Sequence, residues 1–466
     1  MFLYAGYCYY LRAVIIFEGQ MSDMKKILFV SLGCDKNLVD SEMMLGMLGE
    51  HGFSFTDDEN EADVVVVNTC CFIGDAKEES VNTLLQMADL KDSGQIEALI
   101  AAGCLAQRYR EEIQREIPQV DAILGVTAID EIVDAVEEIL SGRASNHYKS
   151  IDAPPLTGVR RMLTTGGHFA YLKIAEGCDK HCTYCVIPKV RGAYRSVPME
   201  SLLREAADLA ADGVKELILV AQETTLYGVD LYGEKRLPRL LRELGKVEGI
   251  AWIRLLYCYP EEITEELMEV IATEPKVCHY LDIPIQHASD PVLSRMGRRA
   301  NEEKLRGMVA RLRERIPDIC LRTTLISGFP GETQEDFEEL YRFVNEMEFD
   351  RLGVFPYSRE EDTPAATMEG QIAEEVKRFR RDELMELQQA IAFEKAESLV
   401  GRELVAMIEG KVAGEDTYVA RTYRDAPNVD GYLFINATAS LMTGDMVKAL
   451  VTDANEYDLI GELVDE

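Results

Sequence analysis

Three cysteines within one short stretch, Cys178-Asp-Lys-His-Cys182-Thr-Tyr-Cys185, do most to limit what this chain can fold into. They follow an apolar, strand-like run at 171–175. A loop this short can lay three thiolates around one face of a cube, which supplies three of the four ligands that a [4Fe–4S] cluster needs. The fourth iron is then open to a small molecule. The competing readings are a zinc site or three unrelated core cysteines; zinc sites usually close with four ligands, often in C-x2-C pairs. His181 could be a fourth ligand, but its place inside the loop makes a tetrahedral wrap awkward.

The sequence around this loop repeats. Strand-like runs recur at 171–175, 216–222, 252–257, 280–285, 320–326 and 351–357, with helical stretches between them. Six β/α units form a partial parallel barrel, whose chemistry sits at the carboxyl ends of the strands. The polar residues there are Gln222, Glu223, Gln286, His287, Ser327 and Tyr357. His287 reads equally well as a hydrogen-bonded wall residue. Ser327-Gly328-Phe-Pro-Gly-Glu332 is a glycine-rich turn after the fifth strand, where backbone can approach a ligand closely. The cysteine loop with these units resembles the radical S-adenosylmethionine (SAM) enzymes. The resemblance implies that SAM chelates the open iron and is cleaved to a radical by an electron from the cluster. It places Tyr184 near the adenine and makes Gln222, Glu223, Gln286, Ser327 and Gly328 the candidate SAM contacts. Arg191-Gly-Ala-Tyr-Arg195-Ser resembles the same family; its arginines read either as ligands of SAM or an acidic substrate group, or as a solvated face.

Residues 25–141 form a separate α/β unit. Buried-type strands at 26–32, 63–68, 98–102 and 122–124 alternate with helical patterns at 39–48, 76–90, 109–117 and 129–140. This predicts an open parallel sheet covered on both faces. Cys34, Cys70 and Cys104 each fall just past one of the first three strands, so parallel pairing brings their thiols to one edge, where such sheets bind ligands. They form a second candidate three-thiolate site. Cys71 points the other way and reads as structural. Ser31-Leu-Gly-Cys34-Asp-Lys-Asn-Leu-Val-Asp-Ser41-Glu42, Asn68-Thr-Cys70 and Gly103-Cys104 resemble the N-terminal domain of the methylthiotransferases, in their ribosomal-protein, RimO-type branch. The tRNA-modifying branch usually reads Gly-Cys-Gln-Met-Asn at the first string. In the ribosomal branch a glycine often follows the second cysteine; Cys71 departs from that, which makes it an alternate ligand candidate beside its structural reading.

Residues 142–168 read as a Ser/Gly/Pro/Thr-rich linker, 169–395 as the radical SAM core, and 374–399 as a long amphipathic helix closing it. From 396 to 466 short β runs at 403–408, 418–421, 432–435, 446–452 and 458–462 predict a small barrel that resembles the TRAM module. From Val400 on, 13 acidic residues face 5 basic ones, a poor phosphate-binding surface that suits a basic protein instead. The whole chain has 466 residues, an ordinary 47% apolar fraction and a formal charge of −34, which disfavours DNA and RNA and steers basic partners in. Eleven cysteines with no secretory framework point to a reducing, cytoplasmic setting. Residues 1–24 read as an extension outside the fold, too interrupted for a membrane span.

Taken together the resemblance implies methylthiolation of the β-carbon of an aspartate in ribosomal protein S-twelve, free or on the small ribosomal subunit. It further implies two [4Fe–4S] clusters (on Cys34, Cys70 and Cys104, and on Cys178, Cys182 and Cys185), two SAM molecules, and an electron donor of the flavodoxin or ferredoxin type. The C–H bond attacked is not acidic enough for a base, which gives a radical its purpose. The alternatives are methylthiolation of a tRNA adenosine by the same machinery and a non-catalytic iron–sulfur carrier.

Overall fold

The computed structural model describes residues 25–143 and 145–464; the expected extension at 1–24 lies outside the described residues. The first unit holds β1 (Lys26–Ser31), α1 (Asp35–Glu50), β2 (Ser54–Thr56), β3 (Val64–Thr69), α2 (Gly74–Asp92), β4 (Ala98–Ala102), α3 (Gly103–Arg108), α4 (Arg110–Glu116), β5 (Ala122–Leu124) and α5 (Ile132–Leu140). Its strands pair in parallel in the order β2-β1-β3-β4-β5. Val64 to Val67 are all fully buried, because a parallel sheet covered on both faces needs no polar alternation. Ile27, Val64, Val66 and Ile100 pack on the α1 and α5 side, and Leu28, Val65, Val67 and Leu99 pack on the other.

The second unit runs β6 (Phe169–Lys173), β7 (Ala175–Glu176), α6 (Ile187–Arg191), β8 (Arg195–Ser196), α7 (Met199–Ala211), β9 (Glu216–Val220), α8 (Val229–Tyr232), α9 (Leu237–Leu244), β10 (Trp252–Leu255), α10 (Glu265–Thr273), β11 (Val277–Asp282), α11 (Asp290–Arg295), α12 (Glu302–Arg315), β12 (Cys320–Ser327), α13 (Gln334–Met347), β13 (Arg351–Pro356) and α14 (Glu374–Glu397). Six strands follow chain order, β6-β9-β10-β11-β12-β13, in one parallel sheet that does not close. The outward residues Leu217, Leu219, Leu255, Leu281 and Leu321 meet the helices. The inward residues Phe169, Tyr171, Ile218, Val220, Trp252 and Tyr280 join a core with Leu38, Val39 and Met43 of α1. The open face of the barrel is therefore filled by the N-terminal unit.

The last unit is a closed barrel of β14 (Glu403–Lys411), β15 (Thr417–Thr422), β16 (Leu433–Asn436), β17 (Met446–Asn455) and β18 (Asp458–Leu463), in the order β14-β15-β16-β18-β17. It is anchored to the large barrel by ions with no access to water. Glu216 of β9 pairs with Arg254 at 2.7 Å and with Arg421 of β15 at 2.8 Å, and all three side chains are fully buried.

Boundaries differ from the sequence reading in informative places. β2 has no apolar run to announce it. The helix expected over 109–117 is α4, and a further short helix, α3, precedes it across Tyr109, starting directly after β4 with Cys104 as its second residue. Among its described residues the stretch expected as a linker holds no helix or strand beyond a bridge of His147 to Leu124, yet it is packed into the fold: Arg161 pairs with Glu42 of α1 at 3.1 Å, and the Thr164 N–H and hydroxyl donate to the Glu42 carboxylate at 2.8 and 2.9 Å. Among the described residues no helix is long and apolar enough to cross a membrane.

Candidate active site

The first cysteine set sits at the carboxyl edge of the N-terminal sheet. Cys34 is the N-cap of α1, Cys70 follows β3 directly, and Cys104 opens α3. Two glycines with positive φ let these loops meet. A Cβ on Gly33 would lie 2.7 Å from the Cys70 Cβ and 2.9 Å from its Sγ, and one on Gly103 would lie 2.2 Å from Asn68 Oδ1. Asn37 ties the strand ends together: its amide donates to the Leu32 and Thr69 carbonyls at 2.9 Å each, and its Oδ1 accepts from the Cys104 thiol at 3.7 Å. Burial, then the neighbouring Cys104 and Cys34 charges, push the Cys70 thiol well up. Burial also raises Cys104, opposed by Arg191. Cys71 lies in the apolar core between the sheet and α2, as its strand position predicts, and burial pushes its thiol up to about 12.

The second set occupies the loop between β7 and α6. Gly177 turns the chain under residues 192–193, where a Cβ would meet the Ala193 carbonyl oxygen at 2.0 Å. The Cys178 N–H donates to Gly192 O at 3.1 Å and the Cys185 N–H to Cys182 O at 3.0 Å. His181 adopts a left-handed φ of 52° with an exposed side chain. Burial raises the Cys178 thiol to about 11 and the Cys185 thiol to about 12. Metal-free, these thiols keep their protons at neutral pH, so metal binding must displace them. Among the described residues no three Cys, His, Asp or Glu side chains converge as ligands of a single ion would. The donor sets, each three thiols on a glycine-permitted turn, fit a cluster.

Beside Cys104 lies a buried ionic group. Lys173 of β6 bonds Asp40 and, at 2.9 Å, Glu176. Arg191, expected either as a SAM or substrate ligand or on a solvated face, is instead 1% exposed and donates to Asp40 at 2.8 Å, to Glu176 at 3.1 Å, to Asn37 and to the Cys104 sulfur at 3.2 Å. Its spacing from the cysteine loop drew attention to it, but no local pattern reveals a burial supplied by another domain. Lys173 and Arg191 hold the Glu176 carboxyl far below its ordinary range, against the opposing effect of burial.

The remaining candidates divide. Gln222 donates to Glu176 at 2.6 Å, and its Oε1 is buried with no partner. Glu223 accepts from the Thr225 N–H at 2.8 Å and from its hydroxyl, and its Oε2, which has no hydrogen bond, faces the Lys180 ammonium at 3.8 Å; burial raises the carboxyl to about 7. Gln286 sits at φ 73° between Thr324 and Ile326, bonded through its backbone. Tyr184 packs edge-on against Phe329, which packs against Tyr357. Ser327 donates to the Lys377 carbonyl at 3.0 Å, and the Gly328 N–H donates to Glu332 at 2.7 Å, so this turn is met by α14 and its own glutamate. A Cβ on Gly328 would strike Lys377 at 2.3 Å. His287 is fully buried, accepts from the Ser289 N–H at 3.0 Å and lies 3.6 Å from Glu332, a wall position.

The sequence reading missed two aromatic posts. Tyr259 lies 3.2 Å from the Cys182 sulfur, with Lys180 and Arg298 at 4.4 and 3.8 Å from its ring centre. Tyr257, at a strained φ of 59°, donates to Asp35 at 3.1 Å and carries the Lys36 ammonium 3.3 Å above its ring. Such strain in a non-glycine residue clusters at functional sites. The Tyr257-Cys-Tyr259 run after β10 was the available signal.

Family comparison agrees with this division. Residues 26–125 match the model described as uncharacterized protein family UPF0004, residues 172–344 the radical SAM superfamily, and residues 400–464 the TRAM domain. A ribosomal protein uS12 methylthiotransferase RimO of Lachnoclostridium phytofermentans is 61% identical, covering 94% of this chain and 99% of the relative. The proteins of the same name from Acetivibrio thermocellus and Geobacter sulfurreducens are 51% and 50% identical, each covering 95% of this chain and 99% and 100% of the relative. Among solved structures, the radical SAM methyltransferase TsrM from Kitasatospora setae, which has cobalamin and a [4Fe–4S] cluster bound, superposes with a TM-score of 0.52 at 15% identity. It covers 85% of this chain and 81% of that one, a likeness of fold.

Proposed function

The chain belongs to the ribosomal protein uS12 methylthiotransferase (RimO) family, and from that premise we propose that it is a radical SAM enzyme that replaces a hydrogen on the β-carbon of an aspartate of uS12, the S-twelve protein, with a methylthio group. The observation that carries this reading is the presence of two three-cysteine sets, one in each α/β unit, with the buried Arg191 that follows the barrel's cysteine loop reaching Cys104 and Asp40 of the N-terminal unit.

Cys178, Cys182 and Cys185 would hold one [4Fe–4S] cluster, and Cys34, Cys70 and Cys104 the other. When bound, the clusters and SAM supply the electron, the radical chemistry, the sulfur and the methyl group. The chain's own residues orient and exclude water. Tyr259 fixes the Cys182 sulfur. Glu223, whose Oε2 has no hydrogen bond and faces Lys180 at 3.8 Å, offers SAM a polar partner, as does the Gln222 Oε1, which also has no hydrogen bond. Tyr184, Gln286, Ser327 and Gly328 complete the proposed SAM surroundings. Lys36, buried over the Tyr257 ring, pairs with Asp35 at 2.8 Å and helps to order the edge that holds Cys34. This reading brings with it a flavodoxin- or ferredoxin-type electron donor, the small ribosomal subunit as the substrate's context, and a cytoplasmic setting. The tRNA alternative is not favoured, since near-full-length relatives carry the uS12 name.

The test is anaerobic incubation of reconstituted protein with reductant, SAM, sulfide and uS12, followed by peptide mass spectrometry. The expected result is a mass gain of SCH2 on one aspartate. Cleavage of SAM without that gain would move the substrate to tRNA, and no cleavage at all would remove the radical reading.

A further inference from the structure

Arg191 belongs by sequence to the barrel's cysteine loop, ending the helix that follows Cys185, yet its side chain lies among the residues of the other set. All three guanidinium nitrogens donate there: Nε to the Cys104 sulfur at 3.2 Å, Nη2 to Asn37 Oδ1, and Nη1 to Asp40 Oδ2 at 2.8 Å and Glu176 Oε2 at 3.1 Å. The Cys104 thiol itself donates to Asn37 Oδ1 at 3.7 Å. Once Cys104 is a metal-bound thiolate that proton is gone. Asn37 Oδ1 keeps its bond from Arg191, and the Arg191 Nε–H becomes the charged donor aimed at the sulfur.

Resting on the assignment of Cys34, Cys70 and Cys104 as cluster ligands, we propose that Arg191 is a positioning residue that sets the redox potential of the N-terminal centre from the neighbouring domain. Hydrogen bonds to the sulfurs and the net charge nearby are the levers that set such potentials. A guanidinium is always charged, and its rigid fork suits it to this buried task. An N–H to the thiolate withdraws electron density, which favours the reduced cluster. The local charges make the same point: Asp40 and Glu176 face Lys173 and Arg191, so removing Arg191 leaves uncompensated negative charge beside the centre. Because the donor comes from the barrel loop, the centre reaches its working potential only when the two domains are docked.

The experiment uses the full chain with Cys178, Cys182 and Cys185 changed to Ala, reconstituted anaerobically with iron and sulfide, so that one centre is present. Dithionite titration followed by electron paramagnetic resonance reads its midpoint. At a fixed poise, Arg191→Met is expected to lower the reduced-to-oxidised ratio at least tenfold, a downward shift of about 59 mV for a one-electron couple. Arg191→Lys keeps the charge without the planar fork and should fall between. Asp40→Asn, which removes a carboxylate and leaves Arg191 in place, should shift the midpoint upward. Opposite signs for the two substitutions are something a mere domain latch does not produce. Unchanged midpoints, or shifts of the same sign, with iron content intact would overturn the proposal. If Arg191→Met assembles no cluster, the Arg191→Lys and Asp40→Asn midpoints decide. If the triple-alanine protein with Arg191 intact binds no cluster, it is the ligand assignment that falls, and the proposal with it.

Discussion

At the scale of single residues, the two cysteine sets make separable predictions. Cys178→Ala should reduce SAM cleavage to background, whereas Cys34→Ala should leave cleavage intact and stop sulfur insertion; deoxyadenosine release and peptide mass spectrometry check the pair. Full thiolation by the Cys34 variant would remove the second-centre assignment. Glu223 gives a prediction in pH. Burial lifts its carboxyl from an ordinary 4.5 to about 7. The folded chain then holds a proton that the unfolded chain has already released, so this group's contribution to stability falls as pH rises through that window and stays low above it. The full effect is about 3 kcal/mol. Glu223→Gln cannot ionise, so the metal-free variant should melt above wild type at pH 8, and the gap should close by pH 5. A gap of constant size in scanning calorimetry would mean that the carboxyl is not held up by burial.

Elements show why some of this was legible and some was not. The parallel strands announced themselves because a sheet covered on both faces has continuous apolar runs, as in Val64 to Val67. The cysteine sets were legible because each follows a strand end. The short edge strand Ser54–Thr56 left no pattern, and the placement of the buried Arg191 and Arg161 and the half-buried Tyr257 depends on contacts between distant segments that no local window contains. The glycine turns carry a prediction here. Gly33→Ala places a Cβ against Cys70 at a φ of 91°, and should cost about 1–3 kcal/mol. It should also lose roughly half the bound iron while SAM cleavage survives. Gly52→Ala has a similar φ of 85° but open space around it. It should cost about 1 kcal/mol and keep its iron. Equal iron contents in the two variants would show that the Gly33 contact does not shape the site.

Across the whole molecule, the distribution of charge decides what can approach. Of the five basic residues in the C-terminal barrel, Arg421 is fully buried against Glu216 and Arg424 is largely covered as it pairs with Asp350 at 2.6 Å. Exposed cations there are Arg402, Lys411 and Lys448, against exposed Glu403, Glu415, Asp416, Asp453, Glu456 and Glu462. The anchoring of this module to the large barrel thus consumes positive charge and leaves an outer surface that repels phosphate and attracts a basic protein. Exposed charges act over about 8–10 Å at ordinary salt and mainly through the rate of encounter. Reversing two of them, Glu415→Lys with Asp416→Lys, should therefore raise the KM for uS12 several-fold at low salt and leave kcat unchanged. By about 0.5 M salt the difference should vanish, because screening removes the steering from wild type and variant alike. Stability should hardly change, since Glu415 is exposed and the Asp416–Lys411 pair at 3.3 Å is a surface contact worth at most about 1 kcal/mol. Steady-state methylthiolation at two salt concentrations separates the cases. A KM that ignores both the reversal and the salt would mean that uS12 is received elsewhere on the molecule, and that the acidity of this barrel serves solubility alone.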